Sequence, residues 1–104
     1  MTYNAKRNIL RVMIKSFSCK ETQALFEGSN SRRFRAIQVV AERKLTILDA
    51  AATLDFLRVP PGNRLEALRG DRKDQWSIRV NVQWRICFKF KNGDAFDVEI
   101  VDYH

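Results

Sequence analysis

Residues 84–100 read WRICFKFKNGDAFDVEI, in which apolar and polar side chains alternate on both sides of Asn92-Gly93. Alternation with a period of two is typical of a β-strand that buries one face, because successive side chains point to opposite sides of the strand. An Asn-Gly pair between two such runs favours a two-residue hairpin turn, since both residues tolerate a positive φ. This stretch therefore predicts two antiparallel strands and, with them, a fold built on a sheet.

The alternation continues upstream of this hairpin. Residues 76–81 alternate apolar and polar side chains again, and residues 65–67 indicate a further short strand. We therefore expect an antiparallel β-meander from Leu65 onward. Such a sheet commonly keeps one face in solvent. Here that face carries Arg79 and Arg85, while the aromatic side chains of the other face are expected to pack under helices.

The first part of the chain predicts a strand followed by a short helix. Residues 8–17 (NILRVMIKSF) are rich in β-branched and other apolar side chains, which indicates the first strand. Ser18 and Glu21 have the spacing of a capping box, in which each side chain bonds the backbone amide of the other. The helix is then expected to run to about Glu27 and to stop at Gly28, because glycine readily adopts the left-handed cap.

A second and longer helix follows, with candidate caps at residues 29–31. Its apolar positions recur at intervals of three and four, as on one helix face: Phe34, Ile37, Ala41, Leu45, Leu48 and Ala52. Residues 54–57 indicate a short helical turn, which residues 60–63 (PPGN) cannot continue. The sequence thus predicts an α+β fold: an N-terminal strand, two helices, a short helical turn and a C-terminal antiparallel meander in one twisted sheet.

Length and composition indicate one domain of ordinary size. A chain of 104 residues with 45% hydrophobic residues can bury a single core. Cys19 and Cys87 are too few for a disulfide framework and lack metal-ligand spacing, which fits a reducing cytoplasm. Neither a signal peptide nor a run of about 18 apolar residues is present, so we expect no membrane partner.

The charge of the chain favours an anionic partner. The formal net charge is +7, and residues 64–91 hold eight cationic against three anionic side chains. Residues 92–104 carry four acidic side chains and no lysine or arginine. Cationic side chains bind a polyphosphate by releasing its condensed counterions. The pattern predicts a cationic groove for nucleic acid bordered by an acidic segment, although many small proteins are basic without such a partner.

The chain lacks the common enzyme motifs for phosphate loops, metalloproteases and serine hydrolases. The remaining chemistry suits attack by the 2′-hydroxyl of RNA on its own phosphate, which needs a proton acceptor, a proton donor and cations, and no metal or cofactor. His104 is the single histidine, and histidine is the side chain that ordinarily titrates near neutrality. Asp102, Tyr103 and His104 are therefore candidates, against the alternative of a frayed tail.

Six cations are candidates for binding the RNA phosphates: Arg64, Arg69, Arg72, Lys73, Arg79 and Arg85. For each of them the alternative is an ordinary solvated surface charge. Trp76 and Trp84 are expected to pack in the core rather than to stack on bases. Cys87 is interpreted as a small residue beside the groove and not as a nucleophile, because no neighbouring histidine would activate it.

Several segments together resemble the HigB branch of the RelE-like toxins: residues 60–70 (PPGNRLEALRG), 75–81 (QWSIRVN), 83–88 (QWRICF) and 98–104 (VEIVDYH). Residues 13–17 (MIKSF) add to the similarity, which thus covers residues 13–104. The resemblance implies a ribosome-dependent endoribonuclease that cuts mRNA in the decoding site. It also implies a helix-turn-helix antitoxin of the HigA type as partner, with DNA contacted indirectly through that antitoxin.

The resemblance also implies roles for individual residues. Arg85 would stabilise the scissile phosphate, residues 102–104 would form the acid-base and orienting set, and Arg69 would be a cation near the RNA. Glu66 stands where some members of the family have a histidine. Either Glu66 acts as the proton acceptor, or His104 carries more of that task.

Two alternatives to the ribonuclease remain open at this point. A ParE-like inhibitor of DNA gyrase shares the fold, and an RNA- or ribosome-binding protein without cleavage would keep the cationic face. Members of the family usually begin at the methionine of MIKSF. We therefore hypothesise that Met13 is the native start and that residues 1–12 are an extension before a single domain at 13–104.

Overall fold

Two helices precede a four-stranded antiparallel sheet in the computed structural model, which describes residues 14–103. The predictions for residues 8–13 and for His104 lie outside the described residues. The elements are α1 (Lys20–Phe26), α2 (Gln38–Ala50), β1 (Glu66–Ala67), β2 (Trp76–Arg79), β3 (Trp84–Lys91) and β4 (Asp94–Asp102). The predicted α+β class is confirmed.

The strands follow the order β1-β2-β3-β4, so each strand pairs with its neighbour in sequence, and the predicted meander is confirmed. Ile86 lies opposite Ile78 on one side and Ile100 on the other, which aligns the buried face of three strands. Asn92 and Gly93 have φ of 53° and 82°. Both values are positive, as the predicted two-residue turn requires.

The N-terminal segment joins the other edge of the sheet. Ile14 and Phe17 form isolated parallel bridges to Ala95 and Val98, so β4 lies between β3 and this segment. Within residues 14–17, the predicted first strand is therefore reduced to these two bridges.

The capping box predicted at Ser18 is wrong. The residue that caps α1 is Cys19, and no side chain bonds the first turn of this helix. Ser18 instead follows the edge of the sheet, since its hydroxyl donates to the carbonyl of Asp97 at 3.2 Å. Glu21 pairs with Arg33 at 3.0 Å. The Ser18 side chain, which the local pattern assigned to the helix N-terminus, thus bonds the edge of the sheet instead.

The second helix begins later and ends earlier than its apolar pattern indicates. Ser31 accepts a hydrogen bond from the amide of Phe34 at 3.3 Å, a 3-10 turn follows over Arg35–Ile37, and α2 ends at Ala50. Ala52 is exposed. The other members of the predicted stripe are buried in one core with the apolar face of the sheet.

The connection from α2 to the sheet consists of two 3-10 turns, Asp55–Arg58 and Pro61–Asn63. Asn63 is fully buried, and its amide nitrogen donates to the carbonyls of Leu57 and Val59. Its amide oxygen accepts from the ammonium group of Lys44 in α2. Asn63 thereby fixes the crossing loop to the helix. No helix within residues 14–103 is long and apolar enough to cross a membrane.

Candidate functional site

Arg85 lies on the face of the sheet away from the helices and is nonetheless 7% exposed. Its Nε donates to the hydroxyl of Ser77 at 2.7 Å, and its Nη2 donates to the carbonyl of Arg64 at 2.6 Å. A longer bond of 3.4 Å joins Nη2 to the carbonyl of Ser77. One edge of the guanidinium is therefore occupied by acceptors of the protein.

The third nitrogen of this guanidinium, Nη1, differs from the other two. In the described part of the chain, Nη1 of Arg85 forms no hydrogen bond, and no buried side-chain nitrogen or oxygen lacks a partner. Nη1 is therefore accessible. Arg85 lines a cavity of about 270 Å³, which adjoins a second cavity of about 490 Å³ through Glu66 and Tyr103. We call these two cavities together the Arg85 groove.

A carboxylate and a phenol flank Arg85 in this groove. Oε1 of Glu66 lies 3.7 Å from Nη2 of Arg85, and the Glu66 side chain is 51% exposed. The Tyr103 ring stacks against the guanidinium with 5.5 Å between Cζ and the ring centroid. Both groups reach solvent while contacting a buried cation, which is a geometry suited to proton transfer beside a phosphate.

Further arginines surround the groove. Arg64 and Arg79 line the smaller cavity with Arg85, and Arg69 lines the larger one. Arg79 lies directly opposite Arg85 in the pairing of β2 with β3. Four arginines against one glutamate give the lining a net positive charge, which suits a phosphodiester backbone.

Arg72 and Lys73, which the sequence also proposed for RNA binding, do not line the groove. Arg72 pairs with Glu99 at 3.3 Å and donates to Gln75 at 2.9 Å. Lys73 is exposed in the same loop. The ion pair of Arg72 fastens residues 69–75 to the sheet, so this side chain has a structural partner.

Cys87 lies on β3, between Ser77 and Glu99 of the neighbouring strands, and is fully buried. Burial raises the pKa of the Cys87 thiol, which keeps the group protonated near neutrality. A protonated, inaccessible thiol is not a nucleophile, in agreement with the interpretation from sequence.

The C-terminal candidates divide between the two faces of the sheet. Asp102 lies opposite Trp84, and paired residues share a face, so its side chain is directed away from the Arg85 groove. Its carboxylate accepts a hydrogen bond from the side-chain amide nitrogen of Gln83 at 3.1 Å. Tyr103 is the member of the set that lines the groove. His104 lies outside the described residues.

Five residues of the site are absent from the candidates proposed from sequence: Ala67, Leu68, Ser77, Asn81 and Val82. Ser77 is fully buried and bonds Arg85. Asn81 and Val82 line the smaller cavity, and Val82 is 84% exposed at its rim. A polar residue inside an alternating strand was the available signal for Ser77. The two tryptophans pack against the core as predicted, with Trp84 in edge-to-face contact with Phe34.

The groove therefore combines a buried guanidinium with an accessible edge, a partly exposed carboxylate, a phenol and a cationic rim. Such a set can bind a phosphodiester, accept a proton near it and compensate the charge that develops there. Within residues 14–103, no group of three or more histidine, cysteine, aspartate or glutamate side chains is placed to hold a metal ion.

Comparison with known proteins places the chain among toxins. The family model described as the RelE-like toxin of the type II toxin-antitoxin system HigB matches residues 15–104. Toxin HigB-1 of Vibrio cholerae serotype O1 is 40% identical over 87 residues, which are 82% of this chain and 92% of the relative. Endoribonuclease HigB of Proteus vulgaris is 39% identical over 93 residues, which are 88% of this chain and 100% of the relative. The chain therefore belongs to the HigB family of RelE-like toxins, each of which is one half of a type II toxin-antitoxin pair with an antitoxin as its partner.

Proposed function

We propose that this chain is an endoribonuclease that cuts mRNA on the ribosome and thereby inhibits translation and growth. The observation that carries the proposal is the buried Arg85, which has an accessible Nη1 and lines a cationic groove together with Glu66 and Tyr103. The name of the Proteus vulgaris relative, Endoribonuclease HigB, supports the same activity.

In the proposed reaction, the 2′-hydroxyl of one nucleotide attacks the adjacent phosphorus, and the bond to the 5′-oxygen breaks. Nη1 of Arg85 donates to a non-bridging oxygen of the phosphate as negative charge accumulates there. Arg64 and Arg79 hold the flanking backbone, and Arg69 is placed for the same task along the larger cavity. Donors fixed in advance contribute most when they point to where charge develops.

Glu66 is the proposed acceptor of the 2′-hydroxyl proton. Its carboxylate lies 3.7 Å from Arg85 and is half exposed, so that it can meet a ribose next to a phosphate held by Arg85. His104 is the proposed donor to the 5′-oxygen, and Tyr103 is proposed to orient the sugar or base. Asp102 is proposed to act through its neighbours, since its side chain is on the opposite face.

The shape of the groove supports dependence on the ribosome. The described lining mixes charged, polar and apolar side chains, and the cavity that Arg85 lines has a volume of about 270 Å³. Contacts to backbone phosphates carry no sequence information, so such contacts alone allow a flexible message to bind in many registers. We propose that the decoding site supplies this positioning.

The remaining parts of the proposal concern the partner and the compartment. The antitoxin is proposed to be a HigA-type helix-turn-helix protein, so that the toxin contacts DNA indirectly through it. Because ribosomes and mRNA are the proposed targets, the toxin is expected to act in the cytoplasm. Arg72 and Lys73 are retained as secondary contacts to RNA or ribosome outside the groove.

The test is cleavage of a defined message by purified ribosomes plus toxin, with mapping of the new 5′ ends. Wild type is expected to give cuts in phase with codons that require the ribosome. His104→Gln and Arg85→Ala are each expected to lower the rate by about two to three orders of magnitude, roughly 3 kcal/mol of transition-state stabilisation. Arg58→Ala is the matched control, because Arg58 is an exposed arginine paired with Asp55 away from the groove.

The outcomes separate the competing functions. Full cleavage by both site variants at equal expression would remove the site assignment. Growth arrest with an intact message and inhibited supercoiling would indicate a ParE-like gyrase inhibitor. Binding to ribosomes without any cut would indicate an RNA-binding protein without cleavage.

A further inference from the structure

We infer that Ser77 is a positioning residue for the ribonuclease reaction, acting through Arg85. This inference rests on the proposed function of the Arg85 groove. Ser77 does not line the groove; it holds the guanidinium that does. Its role is to direct Nη1 of Arg85 at the phosphate.

The contact between the two residues is short and buried. Ser77 is fully buried, Arg85 is 7% exposed, and 2.7 Å separate the serine hydroxyl oxygen from Nε. A hydrogen bond from an ionised donor is stronger than one between neutral groups, and burial strengthens it further. The backbone carbonyl of Ser77 accepts from Nη2 of the same side chain at 3.4 Å.

Arg85 needs such an anchor because a like charge lies beside it. Arg79 is its direct partner in the pairing of β2 with β3, and like charges at opposite positions repel. Without an anchor, the guanidinium of Arg85 would rotate away from Arg79 and into solvent. The Ser77 hydroxyl keeps the guanidinium against the sheet.

Two anchors on one edge fix the plane of the guanidinium. Ser77 binds Nε, and the carbonyl of Arg64 binds Nη2 at 2.6 Å. Arg64 has a φ of 45°, and the neighbouring buried Asn63 ties this loop to α2. With the Ser77 hydroxyl removed, Nε loses its acceptor, and the remaining hydrogen bonds, to the carbonyls of Arg64 and Ser77, both lie on Nη2, about which the guanidinium can turn. Displacement of a catalytic group by about 1 Å can lower a rate by a factor of about 100.

The experiment measures single-turnover cleavage of a ribosome-bound message by Ser77→Ala. We expect the cleavage rate constant to fall about ten- to a hundred-fold, while the affinity for ribosomes stays as in wild type. Ser31→Ala is the matched control, because Ser31 is a buried serine whose hydroxyl accepts one backbone hydrogen bond and which does not line the groove. This control is expected to lose stability without losing rate.

A double-mutant cycle tests whether Ser77 acts through Arg85. In an Arg85→Lys background, which lacks Nε, Ser77→Ala is expected to cause no further loss of rate. Losses that multiply would overturn the inference, because they would mean that Ser77 acts independently of Arg85. Should Ser77→Ala fail to fold, Ser77→Cys takes its place, since sulfur is a weak acceptor of similar size.

The two levels of the proposal fail in different ways. If wild type cuts no message on ribosomes, the proposed function is wrong. If wild type cuts and Ser77→Ala cuts at the same rate, the proposed function stands and the inference about Ser77 is wrong.

Discussion

The substitution Glu66→Gln separates the chemical role of Glu66 from its contribution to stability. Its ion pair with Arg85 is 3.7 Å long and the Glu66 side chain is 51% exposed, so solvent screens the interaction. Because the Glu66 carboxylate is half exposed although Arg85 is buried, we expect the pair to contribute about 1 kcal/mol to the free energy of unfolding, the upper end of the range for exposed pairs. Arg85 keeps its bonds to Ser77 and Arg64 in the variant. We therefore expect a stability close to wild type.

The same substitution removes the proposed proton acceptor. General base catalysis contributes a factor of about 100 to 10,000, so we expect the single-turnover rate of ribosome-bound cleavage to fall by that factor. Glu21→Gln is a close control, because Glu21 is 52% exposed and pairs with Arg33 at 3.0 Å. If Glu66→Gln cleaved the message at the wild-type rate, Glu66 would not be the proton acceptor, and another group would have to accept the proton. A parallel collapse of stability would refute the screening argument.

Three further predictions concern the scaffold. Asn63→Ala removes the side-chain donor to the carbonyls of buried Leu57 and of Val59, so urea unfolding should show a loss of about 1–3 kcal/mol; an unchanged midpoint would contradict the anchoring role of Asn63. Because burial raises the pKa of the Cys87 thiol, an alkylating reagent should modify half-buried Cys19 first in the native protein. In the unfolded protein, Cys19 and Cys87 should be alkylated at the same rate. Ionisation of the Cys87 thiol favours the unfolded state, so the free energy of unfolding should fall as pH rises above the ordinary thiol range; a flat alkaline profile would count against this.

The parts of the fold that depend on local pattern could be predicted from the sequence. The turn at Asn92-Gly93 could be predicted because both residue types tolerate the positive φ that they adopt. The meander could be predicted from the alternation, although a register shift between Cys87 and Lys89 interrupts the pairing of β3 with β4. Ser18 shows the limit of such reasoning. Its spacing to Glu21 is that of a capping box, but the carbonyl of Asp97, 79 positions away, competes for its hydroxyl. A sequence pattern contains no measure of such distant competitors.

The candidate site shows the same division. The alternation assigned Arg85 and Arg79 to one face, and the register places them opposite each other. The alternation did not indicate that Arg85 is buried. The acceptors that hold its guanidinium against the sheet belong to Ser77 and to the backbone of Arg64, and a strand pattern does not show such contacts. Arg72 was proposed for RNA from its charge alone. Its pairing with Glu99, 27 positions away, depends on how residues 69–75 cross the sheet.

The parallel bridges of Ile14 to Ala95 and of Phe17 to Val98 determine the order in which this protein can fold. The earliest described residues pair with β4, the last of the described strands, so this part of the sheet cannot form while α1, α2 and the first three strands are emerging from the ribosome. Pairing across such sequence separations is slow, because the entropy of closing the loop precedes the gain from the contacts. A nascent chain without β4 therefore cannot close its core, and the polypeptide reaches its active form only after the ribosome that makes it has translated this strand.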